Sequence, residues 1–196
     1  EFRRVLFRST LSPHRVGRLR KLGELAIETG DHDTAEKVLA EVVRKGKYSD
    51  FRDPEDHVRL LQAQLAKGDT AQAESTIRDL ERSMPGMVKT RSCSALSSAL
   101  LHMKKGDHAK AGEAIRSLTT EGSGSTDLSV GLKRELAKAC FASNMKEHGT
   151  EVVLDLMRNA ADERSLESTK ALLTDAGHHE LGEKLATQMQ TEEIGR

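Results

Sequence analysis

Leu22-Gly23-Glu24-Leu25-Ala26-Ile27-Glu28-Thr29-Gly30-Asp31-His32-Asp33-Thr34-Ala35-Glu36-Lys37-Val38-Leu39-Ala40-Glu41-Val42 is the stretch on which the reading of the fold turns. It is helical on both sides of Gly30. A glycine there can take φ > 0 and end the first helix. Asp31, or Asp33 with Glu36 three residues on, supplies N-capping oxygens for the second helix. Ala35 is small enough to let the two helices approach closely, and Leu39 and Val42 follow at spacings of four and three, on one helical face. One hairpin of this kind cannot bury that face alone, so more copies are expected.

They are present. Equivalent turns stand at Gly68-Asp69, Gly106-Asp107, Asn144-Met145 and Gly177-His178, with spacings from Gly30 onward of 38, 38, 38 and 33 residues. Five residues past each turn comes Ala35, Ala73, Ala111, Gly149 or Gly182. Four later come Leu39, Ile77, Ile115, Val153 and Ala186, and three beyond those Val42, Leu80, Leu118, Leu156 and Met189. Ser12-Pro13 and Asp53-Pro54-Glu55 read as helix starts, because proline is tolerated in a first turn. The spacing predicts first helices near 13–29, 54–67, 90–105, 127–143 and 163–176. Second helices follow near 33–45, 70–83, 108–120, 147–160 and 179–190, and residues 191–196 should fray. Gly46-Lys47-Tyr48-Ser49-Asp50 and Glu121-Gly122-Ser123-Gly124-Ser125 are loops by composition. The expected fold is all-α, a right-handed α-solenoid of about five helix-turn-helix hairpins over residues 10–190.

Composition excludes several function classes. The 196 residues carry 31 Lys plus Arg and 31 Asp plus Glu, so no basic excess points to nucleic acid. No apolar run is long enough for a membrane helix and no secretory pattern opens the chain, which makes a cytoplasmic protein the expectation. Aromatics are 3% with no Trp, so the core must be aliphatic. Cys93 and Cys140 make neither a zinc framework nor a disulfide scaffold, and Cys140 reads as a small buried hydrophobe.

Glu1-Phe2-Arg3-Arg4-Val5-Leu6-Phe7-Arg8-Ser9 is unlike anything downstream. It resembles the translation of a restriction site followed by a widely used short-read sequencing adapter. The alternative is a genuine basic amphipathic start. The adapter resemblance implies that residues 1–9 are a non-native scar, with the natural N-terminus and any preceding domain missing.

Leu22-Gly23, Gly30-Asp31, Ala35, Leu39 and Val42 together resemble a tetratricopeptide repeat, as do Gly68-Asp69, Ala73, Ile77, Leu80 and Pro85. Copies two to five depart from that family in lacking the Leu-Gly signal and in their period of about 38 rather than 34 residues. Ser12-Pro13-His14-Arg15, Arg44-Lys45-Gly46-Lys47-Tyr48-Ser49 and Arg52-Asp53-Pro54-Glu55-Asp56-His57 resemble the helical-repeat half of certain bacterial response regulators. That resemblance implies a phosphoacceptor receiver domain ahead of Ser12 and a signalling output module here, with the receiver as a partner in the full-length chain. A free-standing peptide-binding adaptor in assembly or chaperoning is the other reading.

Chemical motifs are few. His178, His179 and Glu183 are the nearest approach to a metal cluster, but zinc needs at least three protein ligands; a polar turn is the expected role, as for His32 and His108. Gly122-Ser123-Gly124 follows no strand, so it is a linker and not a phosphate cradle. Ser94, Ser97 and Ser98 form a small-residue face with no general base placed by any motif. No nucleophile elbow is present. The expectation is therefore a protein that is not an enzyme and takes no cofactor or metal. Its partner is expected to be a protein or peptide, with no nucleic acid and no membrane. In tetratricopeptide arrays the first helices line a groove; by helical phase Arg20, Glu24, Arg59, Gln62, Leu100, Met103, Arg134 and Lys138 are the candidate groove positions. Solvated helix faces are the plainer reading of the same residues. The Asn/Lys pattern that clamps a C-terminal carboxylate is not evident.

Overall fold

The computed structural model describes residues 13–47, 49–120, 127–159, 163–175, 177 and 180. Among them are nine helices and no strand. In chain order they are α1 (Pro13–Glu28), α2 (His32–Gly46), α3 (Pro54–Ala66), α4 (Thr70–Ser83), α5 (Val88–Lys104), α6 (His108–Thr120), α7 (Val130–Ala142), α8 (Lys146–Arg158) and α9 (Glu163–Asp175). Two compact units divide the chain at residues 94 and 95, inside α5. Each is built of consecutive hairpins: α1–α2 and α3–α4 in the first, α7–α8 followed by α9 in the second.

The turns carry the geometry that a reversal at each helix end requires. Gly30, Gly68, Gly106 and Gly177 have φ between 75° and 84°, and Asn144 has φ 58°. Asparagine is the residue that best replaces glycine in the left-handed region. At three of the turns the C-terminal hydrogen bonds are those of a Schellman motif. The Asp69 N–H donates to the Gln64 carbonyl and the Gly68 N–H to Leu65. Asp107 and Gly106 repeat this toward His102 and Met103, and Met145 and Asn144 toward Cys140 and Phe141. The next residue then starts the second helix. Asp31, Asp69 and Asp107 each accept the backbone N–H three residues on, from Thr34, Gln72 and Lys110, at 3.0–3.1 Å. Asp33, the alternative cap, instead pairs with Lys67 at 2.7 Å. Asp53 caps α3 through the Glu55 N–H, with Pro54 in the first turn.

The repeated columns form the core. Ala35, Ala73 and Ala111 are fully buried, as are Leu39, Ile115 and Val153 in the next column. Val42, Leu80, Leu118 and Leu156 complete the face, each at most 5% exposed. Burying such aliphatic side chains is worth about 1.5–3 kcal/mol apiece, which is what holds helix to helix here. Close approach is visible where a glycine fills the small column or faces it. A Cβ on Gly149 would stand 2.8 Å from the Phe141 ring, and one on Gly23 2.7 Å from Leu39.

Two local expectations are corrected. Ile77 is only half-buried; Thr76 takes the interior position and donates its hydroxyl to Gln64 Oε1 at 2.8 Å, both residues being buried. A paired polar bridge thus replaces one apolar contact at no unsatisfied cost. α5 begins at Val88 rather than near 90, and α7 at Val130 rather than near 127. Residues 1–9, the fifth second helix with Gly182, Ala186 and Met189, and the His178, His179 and Glu183 group lie outside the described residues.

Candidate functional site

The first-helix positions expected to form a groove divide into two groups. Arg20, Glu24 and Arg59 are engaged in joining hairpins within the first unit. The Arg20 guanidinium grips Asp56 bidentately, Nε to Oδ1 and Nη2 to Oδ2, both at 2.7 Å. Nη2 also donates to the Phe51 carbonyl at 2.6 Å. Asp56 is 2% exposed. Burial pushes its carboxyl above the usual range against the pull of Arg20, while the Arg20 pKa is raised by the same hydrogen bond. A two-toothed fork at this distance keeps the pair ionised at neutral pH. Arg59 bridges Glu24 and Glu55, each at 3.0 Å, and the other Glu55 oxygen takes Lys89 at 3.0 Å. Lys89 reaches Asp53 as well, at 3.1 Å. The chain Glu24–Arg59–Glu55–Lys89–Asp53 therefore ties α1, α3 and α5 together along their first-helix side.

A second rung recurs inside hairpins. His57 on α3 faces Asp79 on α4, Nε2 to Oδ2 at 3.5 Å, and Lys133 on α7 meets Asp155 on α8 at 2.5 Å. Both pairs stand eleven residues before and eleven after their turns, at Gly68 and Asn144. In the first case Asp79 also takes Lys47 at 2.8 Å, so three elements meet at one carboxylate. His57 is 5% exposed and neither ring nitrogen makes a hydrogen bond within the protein. Burial holds its pKa below the ordinary imidazole value, although Asp79 pulls the other way. The ring lines a small cleft together with Val42, Lys47, Arg52, Ser83 and Met84. One bridging water is the chemistry that such an orphaned ring asks for.

The other group of expected positions is not consumed in this way. Gln62, Leu100, Met103 and Arg134 are half-buried. Lys138 is 59% exposed and paired only with Glu135, one turn back on its own helix, at 2.9 Å. Arg134 has its Nε closed to solvent without a hydrogen-bond partner. Within the second unit, Leu100, Met103, Arg134 and Lys138 thus carry aliphatic, thioether, guanidinium and ammonium groups on first helices.

Glu55, Asp56 and His57 entered the sequence reading only through a helix start and the response-regulator resemblance, and Lys89 did not enter it at all. The signal was present in Asp53-Pro54-Glu55-Asp56-His57, a first turn with more carboxylates than capping uses. Cys93 and Cys140 are buried, and burial pushes both thiols up to about 12. Thiolate, the reactive form, is thus scarce at neutral pH. Among the described residues no group of three or more His, Cys, Asp or Glu could hold a metal ion. No helix among them is long and apolar enough to cross a membrane. No family model, curated protein or solved structure matches the chain.

Proposed function

We propose that the chain is a non-catalytic, cytoplasmic protein–protein interaction scaffold, the output module of a bacterial two-component response regulator whose receiver domain lies upstream of Ser12. The observation that carries the scaffold reading is the division of the first-helix face. In the first unit its ion pairs fix hairpin to hairpin, while in the second unit Leu100, Met103, Arg134 and Lys138 make no such tie between hairpins among the described residues. Stacked helical hairpins are an architecture that commonly serves binding rather than catalysis. The signalling part rests on the resemblance of the segments around Ser12, Arg44 and Arg52 to the repeat half of those regulators. Phosphorylation of a receiver could act only by changing how this face is presented, since a signal needs different interactions in two states.

The complete open reading frame tests this reading. A receiver domain encoded upstream supports it. An upstream signal peptide or membrane helix, or a start codon directly before Ser12, removes the signalling role and leaves the peptide-binding adaptor. Retrieval of a partner by the chain, abolished by charge reversal on the first-helix face, is the expected biochemical result. Retention of the partner by a surface on the second helices would contradict the face assignment.

A further inference from the structure

Placing the first helices in one register, counted back from their turns, shows where the repeat's own electrostatics are left incomplete. Ten residues before the turn stand Arg20, Val58, Leu96 and Arg134. Val58 and Leu96 are fully buried while Arg20 and Arg134 are half-buried, so this column lies at the margin of the packed face. An arginine there needs a carboxylate. Arg20 finds it in Asp56, twelve residues before the next turn. The matching position after Arg134 is Ser165, which carries no charge.

Two acids near Arg134 among the described residues are held elsewhere. Glu135 is held by Lys138, and Asp155 by Lys133 and by the Asn159 side-chain amide at 3.0 Å. Among the described residues, Arg134 is left with its Nε buried and without a hydrogen bond, and it forms no ion pair. Leaving a charged donor half-buried and unpaired is costly, more so than for a neutral group. The same face of α7 carries Val130 one turn earlier and Lys138 one turn later, at the i, i+4, i+8 spacing of a single stripe. Val130 is 51% exposed.

We propose that the Val130–Arg134–Lys138 stripe of α7 is a docking site for an acidic segment of a protein partner, resting on the scaffold reading above. A carboxylate of the partner meets the outer nitrogens of Arg134, with Lys138 flanking it. An aliphatic side chain one turn along the partner covers Val130. Charge complementarity selects this occupant: the stripe holds two cations, and Glu135 beside it is engaged only in a weak exposed i, i+3 pair with Lys138. Phosphate groups of nucleic acid share that charge but offer nothing for Val130.

The test uses the whole chain labelled with ¹⁵N and three probes: the end-blocked peptide Glu-Leu-Glu-Glu-Leu-Glu, its Gln-for-Glu counterpart, and a short single-stranded DNA. The acidic peptide should shift the Arg134 Nε–H signal and the α7 amides, with binding that weakens as salt is added. Arg134→Met should lower that affinity at least about fivefold while leaving the melting temperature unchanged or higher. Lys138→Gln, at an exposed position, should weaken binding without touching stability. The proposal is overturned if the neutral peptide or the DNA binds α7 as tightly, if shifts concentrate outside α7, or if Arg134→Met binds unchanged. Shifts confined to α3 or α5 would remove this site and keep the scaffold. Silence from every probe removes the site alone, because the scaffold is judged by partner retrieval.

Discussion

Replacing Gly23 with Ala isolates the close helix approach that the hairpin reading requires. A Cβ built on Gly23 falls 2.7 Å from both Cγ and Cδ2 of Leu39 and 3.3 Å from Cδ1. Carbon atoms rest at about 3.5–4.0 Å, so roughly 1 Å of displacement is needed. Leu39 has nowhere to turn: it is fully buried among Ala26, Ala35, Leu60 and Ala63. Overpacking of this kind costs about 1–3 kcal/mol. The helix-propensity gain of Gly→Ala offsets about 1 kcal/mol of it. Gly17 lies in the same helix with nothing within 4 Å of its would-be Cβ. Gly17→Ala therefore keeps the gain, about 0.5–1 kcal/mol, without the clash. The two variants should differ by about 1–3 kcal/mol in urea unfolding followed by helical circular dichroism, with Gly23→Ala the weaker. In a chain of this size that is about 2–4 °C in melting temperature per kcal/mol. A Gly23→Ala protein as stable as Gly17→Ala would refute the packing of α1 on α2 described here.

Arg20→Met should cost about 3 kcal/mol, the low end for breaking a buried pair because Arg20 is partly exposed, and Arg20→Met with Asp56→Leu should recover most of it in thermal melts. Asn144→Gly should stabilise the α7–α8 hairpin by about 0.5–1 kcal/mol in the same assay, since the position already has φ 58°. Acid should destabilise the protein in two windows. Burial keeps the folded His57 pKa below its ordinary 6.5, so unfolded chains take up the proton first; stability falls as pH drops below 6.5, and His57→Gln should flatten that step. The caps Asp31 and Asp107 and the Lys47-bound Asp79 sit below their ordinary 3.8, so their contribution is full above that value and lost as pH falls beneath it. Both cysteines should resist a disulfide reagent in the native protein and react once it is unfolded in denaturant.

Positive φ at Gly30, Gly68, Gly106, Asn144 and Gly177 shows how much of the fold was legible in sequence. Local rules govern a helix stop: one residue that tolerates the left-handed region, then a capping oxygen, and both are written within a few positions. The buried columns were legible for the same reason, since a helix face repeats with fixed spacing. Ile77 failed because Gln64, on the partner helix, gives Thr76 a hydrogen bond that no pattern within α4 announces. The candidate face was legible only by phase. Phase placed Arg20, Glu24 and Arg59 on the first-helix side, but their partners Asp56 and Glu55 stand one hairpin away. For Arg134 the position of the same register one hairpin on is Ser165, which brings no carboxylate in sequence.

The central claim is a chain of helical hairpins in which a residue of positive φ ends a first helix at each of five fixed points. Backbone NMR shifts and couplings of the whole chain measure it most directly. The account predicts helical values across α1 to α9, broken by positive φ at Gly30, Gly68, Gly106, Asn144 and Gly177. Extended values over three or more consecutive residues within any of these helices, or negative φ at any of the five turns, would contradict it.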